Sequence, residues 1–163
     1  MSGQSVWMTS IRTATCSEKG SPSTFDSHYV MTPSQFLQTL YLADRACMGL
    51  VIDCWNARVE MVVDRVSRIR SVSEGWNFDA TGDIEKGRLV FEKVTSLSFS
   101  PTGPLPNDVI LEIHAEPVGD GHRFTIKIAS VNNQGNSTEV TVDIVASGLF
   151  LVDPSCPQVE IRS

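Results

Sequence analysis

Strict alternation of apolar and polar residues in the second half of the chain constrains the fold more than any other feature. Apolar residues occupy every second position over 124–128 and again over 140–144. This period of two is typical of strands with one buried face. The polar segment 132–136 (Asn-Asn-Gln-Gly-Asn) separates the two runs, and Asn and Gly tolerate the positive φ angles of tight turns. The pattern therefore predicts an antiparallel hairpin.

Other segments extend this strand pattern in both directions. One strand or two are predicted over 88–99, and single strands over 109–115 and 148–152. The proline-rich segment 100–107 cannot be part of a central strand, because proline lacks the N–H that a sheet requires. A turn is predicted over 117–121. Sequential strands joined by short turns favour antiparallel sheets.

A single helix is predicted near the start of the patterned region. Thr32 can cap its N-terminus, Pro33 suits the first helical position, and Gln35 completes a capping box. Phe36, Leu37, Leu40 and Tyr41 follow at helical spacing. We expect a helix over about residues 33–43, with its apolar stripe packed on the core.

The region 46–69 has two interpretations. Apolar residues alternate over 48–52 and over 59–63, and Trp55-Asn56-Ala57 between them has the composition of a turn, which predicts a hairpin. Val59, Val62, Val66 and Ile69 also fit a helical period of 3.6. The hairpin is favoured, because Val and Ile prefer strands to helices.

These elements predict a mainly β (α+β) chain, an antiparallel meander sheet or sandwich with one short N-terminal helix. Residues 1–24 are rich in Ser, Thr and Gly and poor in apolar residues, which indicates a partly flexible N-terminal segment. Residues 25–163 are expected to form a single β-rich domain, a size that permits a substantial core without covalent staples.

Charge and hydropathy exclude several classes of function. The formal net charge of −6 argues against general nucleic-acid binding, which requires a basic surface. No apolar run approaches the length of about 18 residues that a membrane-spanning helix requires. The first eight residues lack the basic and apolar regions of an export signal, so a cytoplasmic location is expected.

The four cysteines are Cys16, Cys47, Cys54 and Cys156. An even number permits two disulfides, but without an export signal reduced thiols are the expectation. No Cys-x-x-Cys spacing is present, so neither a zinc knuckle nor a thioredoxin-like motif is predicted. No cofactor is predicted.

Two of the three histidines lie close together in the sequence, near a predicted hairpin. His114 ends one strand and His122 begins the next, with Glu116 and Asp120 between them. Imidazole and carboxylate groups bind several divalent cations, so these four residues are weak candidate metal ligands. Polar residues at a solvated hairpin tip are the simpler interpretation, because no metal-binding spacing supports the site.

Candidates for binding a partner come from the aromatic and basic residues. Trp55 and Trp76 both lie in predicted turns or loops, and exposed tryptophans are enriched at interface hot spots. Arg65 and Arg68 form a small basic patch, which is also what an ordinary solvated face would contain.

The segment 42–63, from Leu42-Ala-Asp-Arg-Ala-Cys-Met-Gly-Leu to Arg-Val-Glu-Met-Val-Val63, resembles the opening of small bacterial domains built from a strand, a turn and a return strand. Gly87-Arg-Leu-Val-Phe-Glu-Lys-Val resembles their G-x-hydrophobic-x-F-x-x-V element. Such domains include uncharacterised bacterial proteins, and some are similar to immunity proteins of polymorphic toxin systems. The resemblance covers about residues 40–152, implies a mostly β domain with a hairpin at 46–66, and transfers no active-site residue.

Three functions are therefore compared. The first is a non-enzymatic protein-interaction domain, such as an immunity-type protein that binds and neutralises a cognate bacterial toxin. The acidic excess is compatible with it, since an acidic inhibitor is steered towards basic toxin surfaces. The second is a β module that binds a small ligand or a metal. The third is an enzyme that uses His114 and His122, and it has the least support because the sequence contains no catalytic motif.

Overall fold

A computed structural model describes residues 31–68 and 83–162 of the chain. The predicted N-terminal segment 1–24 and Trp76 lie outside these described residues. The helix is α1 (Pro33–Gln38), and the strands are β1 (Leu40–Tyr41), β2 (Cys47–Asp53), β3 (Arg58–Val63), β4 (Arg65–Arg68), β5 (Ile84–Glu85), β6 (Arg88–Glu92), β7 (Ser96–Ser100), β8 (Ile110–Val118), β9 (Gly121–Val131), β10 (Ser137–Ala146), β11 (Gly148–Val152) and β12 (Glu160–Arg162).

The strands form three antiparallel sheets. A five-stranded sheet has the order β12-β11-β6-β3-β2, a four-stranded sheet has the order β7-β10-β9-β8, and a three-stranded sheet has the order β1-β4-β5. The predicted mainly β class with one short helix is therefore confirmed. Strands β8, β9 and β10 are consecutive neighbours and form a meander. In the five-stranded sheet β6 is followed by β11, because the chain passes through β7 to β10 in the other sheet before it returns.

The two larger sheets pack against each other through one apolar core. The alternating residues predicted from the sequence point inward, and Phe124, Ile126 and Ile128 are fully buried. Phe91 of β6 meets Phe124 of β9 with ring centroids 5.0 Å apart in an edge-on arrangement. Such pairs add stabilisation beyond the apolar area that they bury. The sandwich interior is therefore anchored by an aromatic contact between the sheets.

The ambiguous region is a hairpin, as favoured. Residues Val59, Met61 and Val63 are buried and alternate with partly exposed residues along β3. β3 pairs with β2, and Ile52 lies opposite Val59. A helix would have placed Val62 with Val59 on one buried face, but Val62 points to the other face of the sheet. The period of two prevails over the helical period because every second side chain of β3 is buried in the core, as in a strand with one buried face.

The helix begins as predicted and ends earlier. Thr32 and Gln35 form the capping box at its N-terminus. The prediction that the helix reaches residue 43 is wrong, because it ends at Gln38 and Leu40 and Tyr41 pair with β4 as strand β1. The helix is only six residues long. Short helices gain little from local propensity, so tertiary strand pairing determines the conformation beyond it.

The turn predicted at 117–121 is shorter than expected. Pro117 and Val118 belong to β8, Val118 pairs with Gly121, and only Gly119 and Asp120 connect the strands. Proline is tolerated there because β8 is the edge strand of its sheet. Gly119 takes a φ of 56°, which glycine adopts without strain.

A second apolar cluster lies on the outer face of the five-stranded sheet. Val90, Phe150 and Val152 are buried there. The guanidinium groups of Arg58 and Arg162 lie over the Phe150 ring, 5.3 and 4.7 Å from its centroid. Both guanidinium groups also form ion pairs, Arg58 with Glu60 and Arg162 with Glu92 and Glu160. The arginine stems therefore cover apolar surface while their charges are neutralised by neighbours.

The expectation that all cysteines are reduced is wrong for Cys156, which is disulfide-bonded. Cys47 and Cys54 are free, the first buried and the second exposed. Burial raises the pKa of the Cys47 thiol to about 11, so it is protonated at neutral pH. Disulfides are rare in reducing compartments, so the bond at Cys156 counts against the expected cytoplasmic location.

Candidate functional site

The most exposed apolar surface among the described residues follows the edge strand β2. Trp55 is 95% exposed, and Met48, Val51 and Ile52 are 55%, 53% and 51% exposed. We call these four residues the β2 edge surface. These exposed apolar side chains lie on both faces of one edge strand and in the turn after it, which is a candidate place for a further strand to bind.

Local geometry explains why the β2 side chains point outward. The register against β3 shifts between Cys47 and Gly49, which makes Met48 the extra residue of a β-bulge. Val51 points to the outer face of the sheet, whereas Ile52 lies on the inner face, where the sheet ends. Among the described strands only β3 pairs with β2, so its other edge is open beyond Cys47, whose N–H donates to the Asp108 carbonyl.

The turn after β2 holds Trp55 in place. The Asp53 carboxylate accepts hydrogen bonds from the Trp55 and Asn56 backbone N–H groups, both at 3.1 Å, and from the Asn56 side-chain amide at 2.7 Å. These bonds, above all the one from the Asn56 side chain, hold the pKa of Asp53 below its usual value. The carboxylate is therefore ionised at neutral pH, in the same turn as Trp55.

Both ends of β2 contact the opposite sheet. At its start, the Cys47 N–H donates to the Asp108 carbonyl at 2.8 Å, just before β8. At its end, Ile52 and Cys54 line a cleft of about 220 Å³ together with Val94 and Leu97 at the start of β7. The start of β2 is therefore held by a hydrogen bond to the segment before β8, and its end borders the cleft beside β7.

The other edge strands carry features that oppose pairing with another chain. β8 contains Pro117 and the charged Glu112 and Glu116, and β12 is only three residues long. β7 alternates serine with partly buried residues. Proline, charges and shortness are the usual protection of sheet edges. β2 contains no charged residue before Asp53, so its bulge is its main protection.

The two arginines predicted to bind a partner lie away from this surface. Arg65 in β4 lies 3.7 Å from the Asp83 carboxylate and 4.0 Å from that of Glu85. Arg68 ends the same strand, with its backbone opposite Leu40. The structure thus places both in the three-stranded sheet, where Arg65 is already engaged in ion pairs.

The four candidate metal ligands do not converge. Glu116 and His114 point to the outer face of the four-stranded sheet, where Glu116 pairs with Arg123 at 3.3 Å. His122 points inward, 6.2 Å from the Phe124 ring, and its Nδ1 is buried without a hydrogen-bond partner among the described residues. Asp120 lies in the turn. Over residues 31–68 and 83–162, no three His, Cys, Asp or Glu side chains are grouped to hold one metal ion.

Another cleft lies between α1 and β8. It has a volume of about 380 Å³ and is lined mainly by apolar residues of the segments 37–43 and 110–115. His114 and Glu112 stand on its β8 side, with Nδ1 3.7 Å from the carboxylate. The Glu112 carboxylate also pairs with the Lys127 ammonium at 2.7 Å, so these half-exposed groups form an ordinary surface ion-pair network.

Trp55 was predicted from its position in a turn, but its neighbours in the β2 edge surface were not. Met48 and Ile52 belong to an alternating pattern that predicts burial on one face. Only the order of strands reveals that β2 is an edge, and strand order depends on pairing between distant residues. The sequence contains no local signal for the exposure of 48–52, because an uncharged apolar segment is more often buried.

The fold and this surface define a class: a two-layer antiparallel β domain with an open, apolar edge strand. The chain belongs to a family of unknown function, DUF6258, whose model matches residues 31–163. No curated protein matches the sequence. No solved structure matches it either. Within the described residues, no helix is both long enough and apolar enough to cross a membrane.

Proposed function

We propose that this chain is a non-enzymatic protein-interaction domain that binds its partner through the β2 edge surface. The observation that carries the proposal is the 95% exposure of Trp55 at the end of an open, uncharged edge strand. Leaving a large aromatic side chain in water has no benefit for folding. Buried at an interface, the same side chain is among the most effective anchors known.

The geometry of β2 favours one mode of binding. An open strand edge presents unpaired N–H and C=O groups to which an extended segment of another protein can add as a further strand. Met48, Val51 and Ile52 would then pack against alternate side chains of that segment. The Trp55 indole would cover the end of the added strand, because the turn places it directly after β2.

Charge indicates the chemistry of the partner. The chain carries a formal net charge of −6, and Asp53 is held ionised beside Trp55. Opposite charge accelerates encounter and discriminates against acidic partners. The partner that we propose is therefore a basic protein with an accessible extended segment.

A finer hypothesis rests on the resemblance of segments 42–63 and 87–94 to small bacterial domains. In that hypothesis the chain is a bacterial immunity-type protein, and the basic partner is a cognate toxin that it neutralises. Family membership is compatible with this hypothesis and adds no activity of its own.

An enzyme that uses His114 and His122 has weaker support. The two side chains point to opposite faces of the β8–β9 hairpin, so they cannot act on one substrate. A metal-binding module is disfavoured for the same reason.

The test is a binding measurement with substitutions on the β2 edge. The full chain, used as bait in extracts of its source organism, should capture a partner that is then purified and titrated by calorimetry. Replacing a hot-spot tryptophan typically costs 2 kcal/mol or more, so Trp55→Ala should weaken the affinity by a factor of about 30 or more. Val51→Lys should also weaken it, because it places a charge in the interface.

Leu111→Lys is the matched control. Leu111 is 50% exposed and lies on the edge strand of the other sheet, also at a bulge. Leu111→Lys should change the affinity for the partner less than threefold, which is the usual size of a free-energy change from a surface substitution outside the interface. Loss of binding with Leu111→Lys but not with Trp55→Ala would refute the proposal. So would a concentration-dependent dimer that Trp55→Ala abolishes, because a second copy would then occupy the surface.

A further inference from the structure

The open end of the sandwich, between the β9–β10 turn and the loop that precedes β8, contains a cleft of about 310 Å³. It lies apart from the β2 edge surface. Its lining residues share one property, the absence of charge. Six of them carry amide or hydroxyl side chains, and the other three, Pro104, Leu105 and Val131, are apolar.

Ser130 is the unusual member of this set. It continues the inward-facing series of β9 beyond Ile128, and it is only 4% exposed. Its hydroxyl is buried and has no hydrogen-bond partner among the described residues. A buried polar group is normally satisfied, and leaving it unpaired costs free energy. Thr138 lies directly opposite Ser130 on β10, so the two side chains are on the same face of the sheet.

The walls of the cleft are held in place by side-chain hydrogen bonds. The Asn107 amide donates to the Val131 carbonyl, and its oxygen accepts from the Val131 N–H, both at 2.9 Å. Asn107 thus pairs with the backbone of β9 as a neighbouring strand would. On the other side, the Asn132 side-chain oxygen accepts from the Gln134 and Asn136 N–H groups, both at 2.9 Å. Such bonds preorganise a site without a ligand.

Other polar groups around the cleft are available for a ligand. The side-chain amides of Asn133 and Asn136 and the hydroxyl of Thr138 are not engaged with any described residue, and each can donate and accept. Leu105 is 75% exposed at the rim and offers apolar contact. Neutral groups that donate and accept suit hydroxyl groups, whereas they give no charge to hold an ionic ligand.

We propose that this cleft binds a neutral, polyhydroxylated small molecule of the size of a monosaccharide. The ligand places a hydroxyl within hydrogen-bond reach of Ser130, further hydroxyls contact Asn133, Asn136 and Thr138, and the C–H face of its ring packs on Leu105. The volume of the cleft is at the lower limit of ordinary small-molecule sites, which agrees with a single sugar unit.

The experiment is a titration followed by amide NMR of the full chain. The probes are glucose, galactose, mannose, N-acetylglucosamine and inositol, with phosphate and acetate as charged comparisons. At least one neutral probe should cause saturable shifts at the amides of Ser130, Asn133, Asn136 and Thr138. Absence of such shifts with all five neutral probes, or equal shifts with phosphate or acetate, would overturn the proposal.

Ser130→Ala separates a binding role from a structural one. It should weaken the affinity by about threefold to tenfold, the effect of one lost hydrogen bond. Its melting temperature should stay the same or rise, because the hydroxyl has no internal partner to lose. The control Ser98→Ala, an exposed serine on β7, should change neither quantity. A fall in melting temperature for Ser130→Ala with unchanged affinity would show that the hydroxyl is bonded within the protein, and the proposal would fail.

Discussion

Replacing Trp55 with alanine should leave the free energy of unfolding almost unchanged, although tryptophan is the largest side chain. An indole that is 95% exposed removes only about a twentieth of its area from water on folding. For a side chain of about 250 Å², that fraction is roughly 12 Å², which at 25 cal/mol per Å² contributes about 0.3 kcal/mol. Phe91, which is completely buried against Phe124, should behave oppositely. Phe91→Ala should cost about 3–5 kcal/mol.

Urea unfolding of the two variants and the unsubstituted chain measures both quantities. Trp55→Ala should keep the midpoint and the slope of the transition, whereas Phe91→Ala should lower the midpoint strongly. A cost above about 1 kcal/mol for Trp55→Ala would mean that the indole packs against another part of the chain in solution. The argument that Trp55 is held free for a partner would then be refuted.

Three further predictions concern other parts of the molecule. Thr32→Ala removes the capping box of α1 and should cost about 1 kcal/mol in urea unfolding; no measurable cost would show that packing alone holds the helix. The exposed Cys54 should react with a thiol reagent in the native state, whereas Cys47, which is buried and has a pKa of about 11, should react only after unfolding. Equal modification rates of the two cysteines, measured by peptide mass spectrometry, would contradict this prediction. Hydrogen bonding from Arg162 holds the pKa of Glu92 below its ordinary 4.5, so the contribution of this ion pair to stability is complete above pH 4.5 and is lost as the pH falls through the lowered pKa. Glu92→Gln should therefore make the free energy of unfolding less sensitive to acid, by less than about 1 kcal/mol for so exposed a pair. An unchanged loss of stability at low pH would contradict this prediction.

Features determined by neighbouring residues could be predicted from the sequence. The capping box located the start of α1, because its hydrogen bonds join residues three positions apart. The alternation over 124–128 and 140–144 located β9 and β10, because a sheet with one buried face imposes that period. The turn at 132–136 followed from Asn and Gly, and Gly135 indeed has a φ of 81°.

Features determined by distant residues could not be predicted in this way. The end of α1 depends on pairing of Leu40 and Tyr41 with β4, more than 20 residues later. Strand β12 has too little apolar character to be recognised, and it exists because β11 offers an edge. The separation of the candidate metal ligands has a related cause. A two-residue turn sets the register of β8 and β9, and this register places His114 and His122 on opposite faces.

The candidate site was partly accessible to sequence reasoning. Trp55 was identified because its turn lies between two alternating segments. The rest of the β2 edge surface was not, because Met48 and Ile52 follow a pattern that in a central strand would be buried. The exposure of Met48 and Ile52 therefore depends on the position of β2 at the edge of its sheet, which local sequence patterns do not show.

The claim that β2 is the docking strand is tested most directly by amide hydrogen exchange of the full chain, free and bound to its purified partner. The account predicts that exchange slows on binding in the segment 47–55, since the open edge of β2 gains hydrogen bonds and Trp55 is covered. Slowing confined to β8 or to the β9–β10 turn, with 47–55 exchanging at the same rate in both states, would contradict it.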